Sequence, residues 1–312
     1  MNTRFKILWF EDEIAWFRME QKHIEEFLEK YCLLPEINRK DGDDFDINEL
    51  TGNDYDLILL DYKLASGQTG DKIVAEIRNN NILTDVLFYS SEEEEMLKAL
   101  LLAKPYIDGV YLTKRDYTIF TEKAGNLIDK IIRRSEDLVN LRGFVMDEVS
   151  DFEVRIKDVL NDVWDRLTEE ERASLEDSTR KTIKRNECRS KKTQQKVMSE
   201  NPIFIAAVNN RYFFSNSDRL YLLEKVVEIL LEKYQLPSKP VYDSLKANYE
   251  KHISNYRNAL GHKKSTDDVI EITKGNCVAV NNELHQEMRK NLIVYNKIIT
   301  DIESFVGEMR KQ

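Results

Sequence analysis

The chain has 312 residues, 41% of them hydrophobic, and 57 acidic against 47 basic side chains give a net charge of −10. That length suits two domains with sizeable cores. The ten glycines and five prolines argue against long disordered or collagen-like stretches. No apolar run reaches the ~18 residues of a membrane span. The N-terminal segment lacks the long apolar stretch and cleavage site of a secretory signal, so a cytoplasmic protein with no membrane partner is expected. Cys32, Cys188 and Cys277 are far apart, which disfavours both a disulfide framework and a structural zinc site.

Up to about residue 116, strands and helices alternate. Arg4–Phe10 (RFKILWF) reads as a buried strand, and Ile14–Lys30 as a helix with an apolar face of Trp16, Met19, Ile24, Phe27 and Leu28. A weak strand follows near Leu34–Arg39 and a strong one at Asp56–Leu60. Ile73, Val74 and Ile77 give Asp71–Arg78 helical spacing. Asp85–Tyr89 is a strand, Glu92–Ala103 a helix and Gly109–Leu112 a strand. Apolar strands separated by helices predict a parallel sheet covered on both faces.

Beyond that point strand signals nearly vanish. Ile119–Leu141 predicts one long helix leading into a second, all-helical domain, with further helices at Val145–Leu167, Leu220–Tyr234, Tyr242–Leu260 and Leu284–Met309. The expected organisation is a first domain over 1–135 and a helical bundle over 136–312. Between the helices, Arg180–Lys196 holds eight bases (Arg180, Lys181, Lys184, Arg185, Arg189, Lys191, Lys192, Lys196) against Glu187 alone. Such a run is either a solvated loop or frayed helix, or a phosphate-binding patch for RNA centred on Lys191 and Lys192.

Polar residues cluster at predicted strand ends, where open α/β sheets carry their sites. Glu11 and Asp12 follow the first strand, Asp61 ends the DLILL strand, Ser90 ends LFYS, and Lys114 follows GVYLT. Carboxylates from neighbouring strand ends converge at one edge, repel each other and call for a cation. All-oxygen ligands favour Mg²⁺. A lysine and a hydroxyl beside them suit the oxygens of a phosphoryl group, and Asp61 would then be a nucleophile that accepts phosphate.

This pattern over residues 3–135 resembles the receiver domain of two-component response regulators. The matches are the acidic pair in FEDE, the acceptor in LLDYKL, the hydroxyl in FYSS and the lysine in YLTK. The resemblance implies a flavodoxin-like, doubly wound, five-stranded parallel fold. It implies Asp61 as phosphoacceptor, and Mg²⁺ held by Glu11, Asp12, Asp61 and the backbone carbonyl of Lys63. Lys114 and Ser90 would close on the phosphoryl group, Tyr111 would be the aromatic switch, and a sensor histidine kinase or phosphotransfer protein would be the partner. The chain departs from the family at Glu11, where Asp is commoner, and at Ala65 and Arg115, where Pro is common. A cis bond before a non-proline residue costs ~2.5–4 kcal/mol, so a trans Lys114–Arg115 bond is expected.

The second half shows no helix-turn-helix pattern, which makes DNA a weak candidate. It does contain Arg257-Asn258-Ala259-Leu260-Gly261-His262. This resembles the Arg-Asn-x-x-x-His motif of HEPN (higher eukaryotes and prokaryotes nucleotide-binding) domains, helical bundles of which many are metal-independent ribonucleases acting as dimers. Residues five apart on a continuous helix point ~140° apart. Gly261 suggests a helix end from which His262 folds back toward Arg257. His262 would then move the proton of a ribose 2′-hydroxyl, Arg257 would hold the phosphate, and Asn258 would orient them. The alternatives are a helix-end capping motif, and a non-enzymatic output domain that binds a protein partner. The ribonuclease reading predicts a homodimer, with the apolar faces of Ile128, Ile131, Ile132 and Leu138 and of the last helix as its surface.

Overall fold

A computed structural model of the chain describes residues 3–42, 47, 50, 55–64, 67, 69–91, 108–185, 191–210, 214–234, 244–262 and 269–309. The expected helix Glu92–Ala103, the position Ala65 and the basic residue Arg189 lie outside them. The chain divides into two compact units, Met1–Asp137 and Leu138–Gln312.

The first unit is built on strands β1 (Arg4–Phe10), β2 (Leu34–Lys40), β3 (Leu57–Asp61), β4 (Val86–Ser90) and β5 (Val110–Lys114), with helices α1 (Ile14–Glu29), α2 (Gly70–Asn79) and α3 (Tyr117–Ser135). The strands are parallel, in the order β2-β1-β3-β4-β5. This is the flavodoxin-like doubly wound arrangement, whose switch point lies between β1 and β3. Successive side chains of a strand point to opposite faces, and the buried residues sort accordingly. Phe5, Ile7, Trp9, Leu57, Leu59, Leu87 and Tyr89 pack with Ile24 and Leu28 of α1 and Phe120, Leu127 and Ile128 of α3. Leu8, Phe10, Ile58, Leu60, Val86 and Phe88 pack with Ile73, Val74 and Ile77 of α2. Strands buried on both faces read as near-continuous apolar runs, and β3 and β4, buried at all five positions, end in the polar residues Asp61 and Ser90.

The second unit is mostly helical. Its helices are α4 (Leu138–Trp164), α5 (Glu169–Arg185), α6 (Lys191–Met198), α7 (Ile203–Asn209), α8 (Asn216–Tyr234), α9 (Leu245–Tyr249), α10 (Asn255–Gly261) and α11 (Asn282–Glu308). A π-helical turn, Glu250–Ser254, joins α9 to α10. Central α4 buries Leu141, Val145, Val149, Phe152, Ile156 and Val163 at helical spacing. Arg155 of α4 clamps α11, donating to both carboxylate oxygens of Glu303 at 2.8 and 2.6 Å and to Thr300 at 2.8 Å. Among the described residues no helix is long and apolar enough to cross a membrane.

Three expectations need correcting. The helix Ile119–Leu141 is two helices: α3 ends at Ser135, Glu136 leaves the helical region (φ −93°, ψ 67°), and α4 begins at Leu138. The apolar stripe skips a turn there, because Ser135, Glu136 and Asp137 stand where the next apolar residue after Ile132 would fall. The second unit also contains a β-hairpin, β6 (Val269–Thr273) and β7 (Asn276–Ala279), turning on Lys274-Gly275 with Gly275 at φ +81°. Its signal was the alternation of VIEIT, in which Ile270 and Ile272 are buried and their neighbours exposed. Finally, the apolar faces assigned to a dimer are occupied internally. Ile128 and Ile132 belong to the core of the first unit, with Ile131 packed against it, while Leu138 and the apolar face of α11 are buried in the second.

Candidate functional site

Register brings the acidic residues together. Phe10 pairs with Leu60 across β1 and β3, so Glu11 leaves β1 beside Asp61, the last residue of β3. Asp12 follows, and one carboxylate oxygen from each of Glu11, Asp12 and Asp61 lies within 4.8 Å of the others. Glu11 is fully buried and Asp61 only 2% exposed.

The surroundings of Glu11 are fully specified. Its Oε2 accepts from the Tyr89 hydroxyl at 2.7 Å, and that hydroxyl accepts from Trp9 Nε1 at 2.7 Å. Its Oε1 accepts from the Glu13 amide at 2.8 Å and from Arg115 Nη2 at 3.0 Å. Burial raises the Glu11 pKa, against the pull of Tyr89, the Glu13 amide and Arg115. Burial, followed by the Glu11 and Asp61 charges, holds the Tyr89 hydroxyl well above its usual range, so it remains a donor.

Asp61 has fewer partners. Its Oδ1 accepts from the Lys63 amide at 3.3 Å. Its Oδ2 lies 3.3 Å from Arg115 Nη1, within ion-pair range, yet accepts no hydrogen bond. Burial and then the Glu11 charge push the Asp61 pKa up to about 7, although Arg115 and the Lys63 amide favour the charged form. A buried carboxylate beside two others, with an oxygen that accepts no hydrogen bond, fits a hard divalent cation. Glu11, Asp12 and Asp61 are the groups that would hold it.

Arg115 pairs with the carboxylates of the pocket, and Arg39 donates to the backbone carbonyls of Glu11 and Asp12 at 2.9 and 3.4 Å. The Arg115 guanidinium also reaches Glu13 Oε2 at 2.8 Å and lies 5.1 Å over the Trp16 ring. Burial works against its charge, but Glu11, Asp61, Tyr89 and Glu13 raise its pKa overall. The Lys114–Arg115 bond is trans, and the Arg115 amide donates to the Ser90 carbonyl at 2.9 Å. Ser90 ends β4, buried, in register with exposed Lys114 at the end of β5. Tyr111 is half-buried. The Lys130 ammonium donates to its hydroxyl and lies 4.3 Å over its ring.

Sequence reasoning missed Glu13, Trp16, Tyr89 and Gly70. A Cβ on Gly70 would meet Asp61 O at 2.6 Å and Phe88 Cε2 at 2.4 Å, so only glycine lets α2 start this close to the acceptor.

In the second unit, a cavity of about 530 Å³ is lined by Arg257 and Asn258 with Glu153, Asn216, Lys251 and Ser254. Arg257 Nη1 donates to Asn258 Oδ1 at 3.2 Å, while its buried Nε has no hydrogen-bond partner. The π-helical turn forms one wall, and such turns recur at functional sites. The His252 carbonyl within it accepts from Asn291 at 3.3 Å, and the His252 ring meets the Tyr295 hydroxyl at 3.1 Å. His262 is exposed at the end of α10 and is not among the described residues lining the cavity. In the basic run, Arg180, Lys181 and Arg185 pair with Glu176, Asp177 and Asp218 at 3.7, 2.6 and 3.3 Å. Lys191 is exposed at the start of α6, with Lys192 next on that helix.

No protein-family model matches the chain, and no curated protein does. It aligns in part with solved receiver domains and a response regulator. That of the Francisella response regulator 1452 is 18% identical over 42% of this chain and 98% of that one, with a TM-score of 0.30. The signal receiver domain of an HD domain-containing protein from Pseudomonas fluorescens Pf-5 is 13% identical over 43% and 90%, with a TM-score of 0.33. A two-component response regulator from Clostridium difficile is 20% identical over 42% and 98%, with a TM-score of 0.30.

Proposed function

We propose that the chain is a response regulator whose first unit is a Mg²⁺-dependent phosphoacceptor and whose helical unit is the effector. The observation that carries this is the convergence of Glu11, Asp12 and buried Asp61 at the switch point of a doubly wound sheet. Asp61, as its carboxylate, would attack the phosphorus of a phosphohistidine on a histidine kinase or phosphotransfer protein, forming an acyl phosphate as the P–N bond breaks and the imidazole stays on the donor; the cation, when bound, would offset the charge of the phosphoryl oxygens. Ser90 and Lys114 are the groups for the phosphoryl oxygens, and Tyr111, tethered to Lys130, is the aromatic reporter of the change. A small phosphodonor with Mg²⁺ should add one phosphoryl group by intact mass to the wild type and none to Asp61→Asn. An adduct of equal yield in the variant removes the assignment.

For the effector, the Arg257-Asn258 wall of the cavity supports a HEPN-type ribonuclease in which His262 takes the 2′-hydroxyl proton and Arg257 holds the phosphate. A homodimer that brings two such pairs together would supply both acid and base. Lys191 and Lys192 are then candidate contacts for the RNA backbone. The exposed position of His262, outside the described lining of that cavity, favours the second reading, a non-enzymatic output that binds a protein partner. Cleavage of RNA in EDTA separates the two, because 2′-hydroxyl attack needs no metal.

A further inference from the structure

We propose that Arg115 is a built-in counter-ion that closes the acidic pocket against divalent metal, so that metal enters when its side chain withdraws. The inference rests on the phosphoacceptor reading and concerns the control of that same site. One guanidinium holds three carboxylates from two parts of the chain: Nη2 on Glu11 Oε1 at 3.0 Å and Glu13 Oε2 at 2.8 Å, Nη1 on Asp61 Oδ2 at 3.3 Å. Its plane is backed by Trp16 at 5.1 Å. A planar fork with several donors suits this bridging, which the point charge of a lysine cannot reproduce. Glu11, Glu13 and Asp61 thereby share one counter-charge.

Closure follows from the partners of Glu11. Both of its oxygens are engaged, Oε2 by Tyr89 and Oε1 by the Glu13 amide and Arg115. A metal that takes Oε1 must displace either the Glu13 amide, which is fixed in the backbone at the start of α1, or Arg115, and one that takes the second lone pair of Oε2 must share the cluster with the guanidinium charge. Tyr89 is fully buried and cannot leave. The Arg115 side chain is 18% exposed, and one of its holds, Glu13, is 58% exposed on the rim. The Arg115 contact is therefore the one that yields. Two like-signed cations sharing one buried cluster also repel strongly at a few ångströms. The movement is confined to the side chain. The Arg115 amide is fixed to Ser90 O at 2.9 Å, and the next residue, Asp116, caps α3 by accepting from the Ile119 amide at 3.1 Å.

The test is calorimetric titration of the full chain with Mg²⁺ alone, together with thermal melts in EDTA. Arg115→Met should bind Mg²⁺ about tenfold tighter than the wild type or more, the scale expected for removing a competing charge. Arg115→Lys, which keeps the charge without the fork, should fall between them. Arg115→Met should melt lower than the wild type in EDTA and recover with Mg²⁺. Equal or weaker Mg²⁺ binding by both variants, with binding still lost in Asp12→Asn, overturns the closure and leaves a metal site. No binding by the wild type or any Arg115 variant overturns the phosphoacceptor reading as well. If Arg115→Met does not fold, Arg115→Lys decides: tighter binding than wild type supports the closure, and equal or weaker binding rejects it.

Discussion

The acidic pocket of the first unit and the Arg257 cavity of the second both gather polar residues, but by different means. In the pocket, register does the gathering. Glu11, Asp61, Ser90 and Lys114 are far apart in sequence, yet each stands at the C-terminal end of a neighbouring parallel strand. Once the strands are known, their meeting is fixed to within a residue. In the cavity, Arg257 and Asn258 share one helix turn with the π-helical turn before it, and His262 lies at the exposed helix end. Closeness in sequence does not produce closeness in space there. A sheet edge makes a site from distant residues, whereas a short helical motif needs other elements, or a second chain, to complete it.

The largest effect to seek is the one that would erase this contrast. If Arg257 and His262 form a catalytic pair, His262→Ala and Arg257→Ala should each slow RNA cleavage by ~10²–10⁴, the usual worth of a positioned acid–base group. The product should carry a 2′,3′-cyclic phosphate, and DNA should be untouched. His262→Ala should leave the melting temperature unchanged, since the side chain is exposed. Undiminished cleavage by both variants would assign any activity elsewhere, and the helical motif would stand as an end cap.

A smaller effect sharpens the other side. Gly70→Ala forces a Cβ against the Asp61 carbonyl at 2.6 Å, which side-chain motion cannot relieve, and against Phe88 at 2.4 Å. Overpacking of this kind costs roughly 1–3 kcal/mol, which chemical denaturation would measure. Phosphorylation of Asp61 should slow in the same variant, because α2 begins against the acceptor's own backbone. Wild-type stability together with a wild-type rate would mean that this close approach is not needed.

What was legible in the sequence follows from the same contrast. The apolar runs RFKILWF, DLILL and LFYS announce buried parallel strands, and the residues at or just past their ends announce the pocket. The partners that determine its chemistry were not legible. Tyr89 reads as one more apolar strand residue, and its hydroxyl acquires a role only when β4 packs beside Trp9 and Glu11. Arg115 was noticed for what it replaces, while its three carboxylate contacts depend on the trans turn after β5. Between α3 and α4, the break at Glu136 is marked by neither glycine nor proline, only by a missing apolar residue. The hairpin's alternation was present in VIEIT but brief.

The smallest expected effect tests whether buried charge in the first unit is special to the pocket. Glu20 on α1 is fully buried, with Oε2 accepting from the Thr121 hydroxyl at 2.8 Å and Oε1 accepting no hydrogen bond. Burial raises its pKa, and Thr121 and then His23 offset this only in part. A carboxyl with a raised folded-state pKa binds its proton more tightly in the folded chain. Its contribution to stability is therefore full below the unfolded value of ~4.3 and is lost as pH rises through the folded value. Glu20→Gln keeps an acceptor for Thr121 and cannot ionise. The stability of the wild type relative to this variant should fall as pH climbs from about 4, then level off above the folded value. Melts at pH 4, 5, 6 and 7 would show it, and a flat or rising difference would refute it. Repeating the series with Mg²⁺ separates the two kinds of buried acid. Glu20 is no member of the Glu11–Asp12–Asp61 cluster, so its pH profile should not move, whereas a shift would mean that the pocket and the α1–α3 interface titrate as one system.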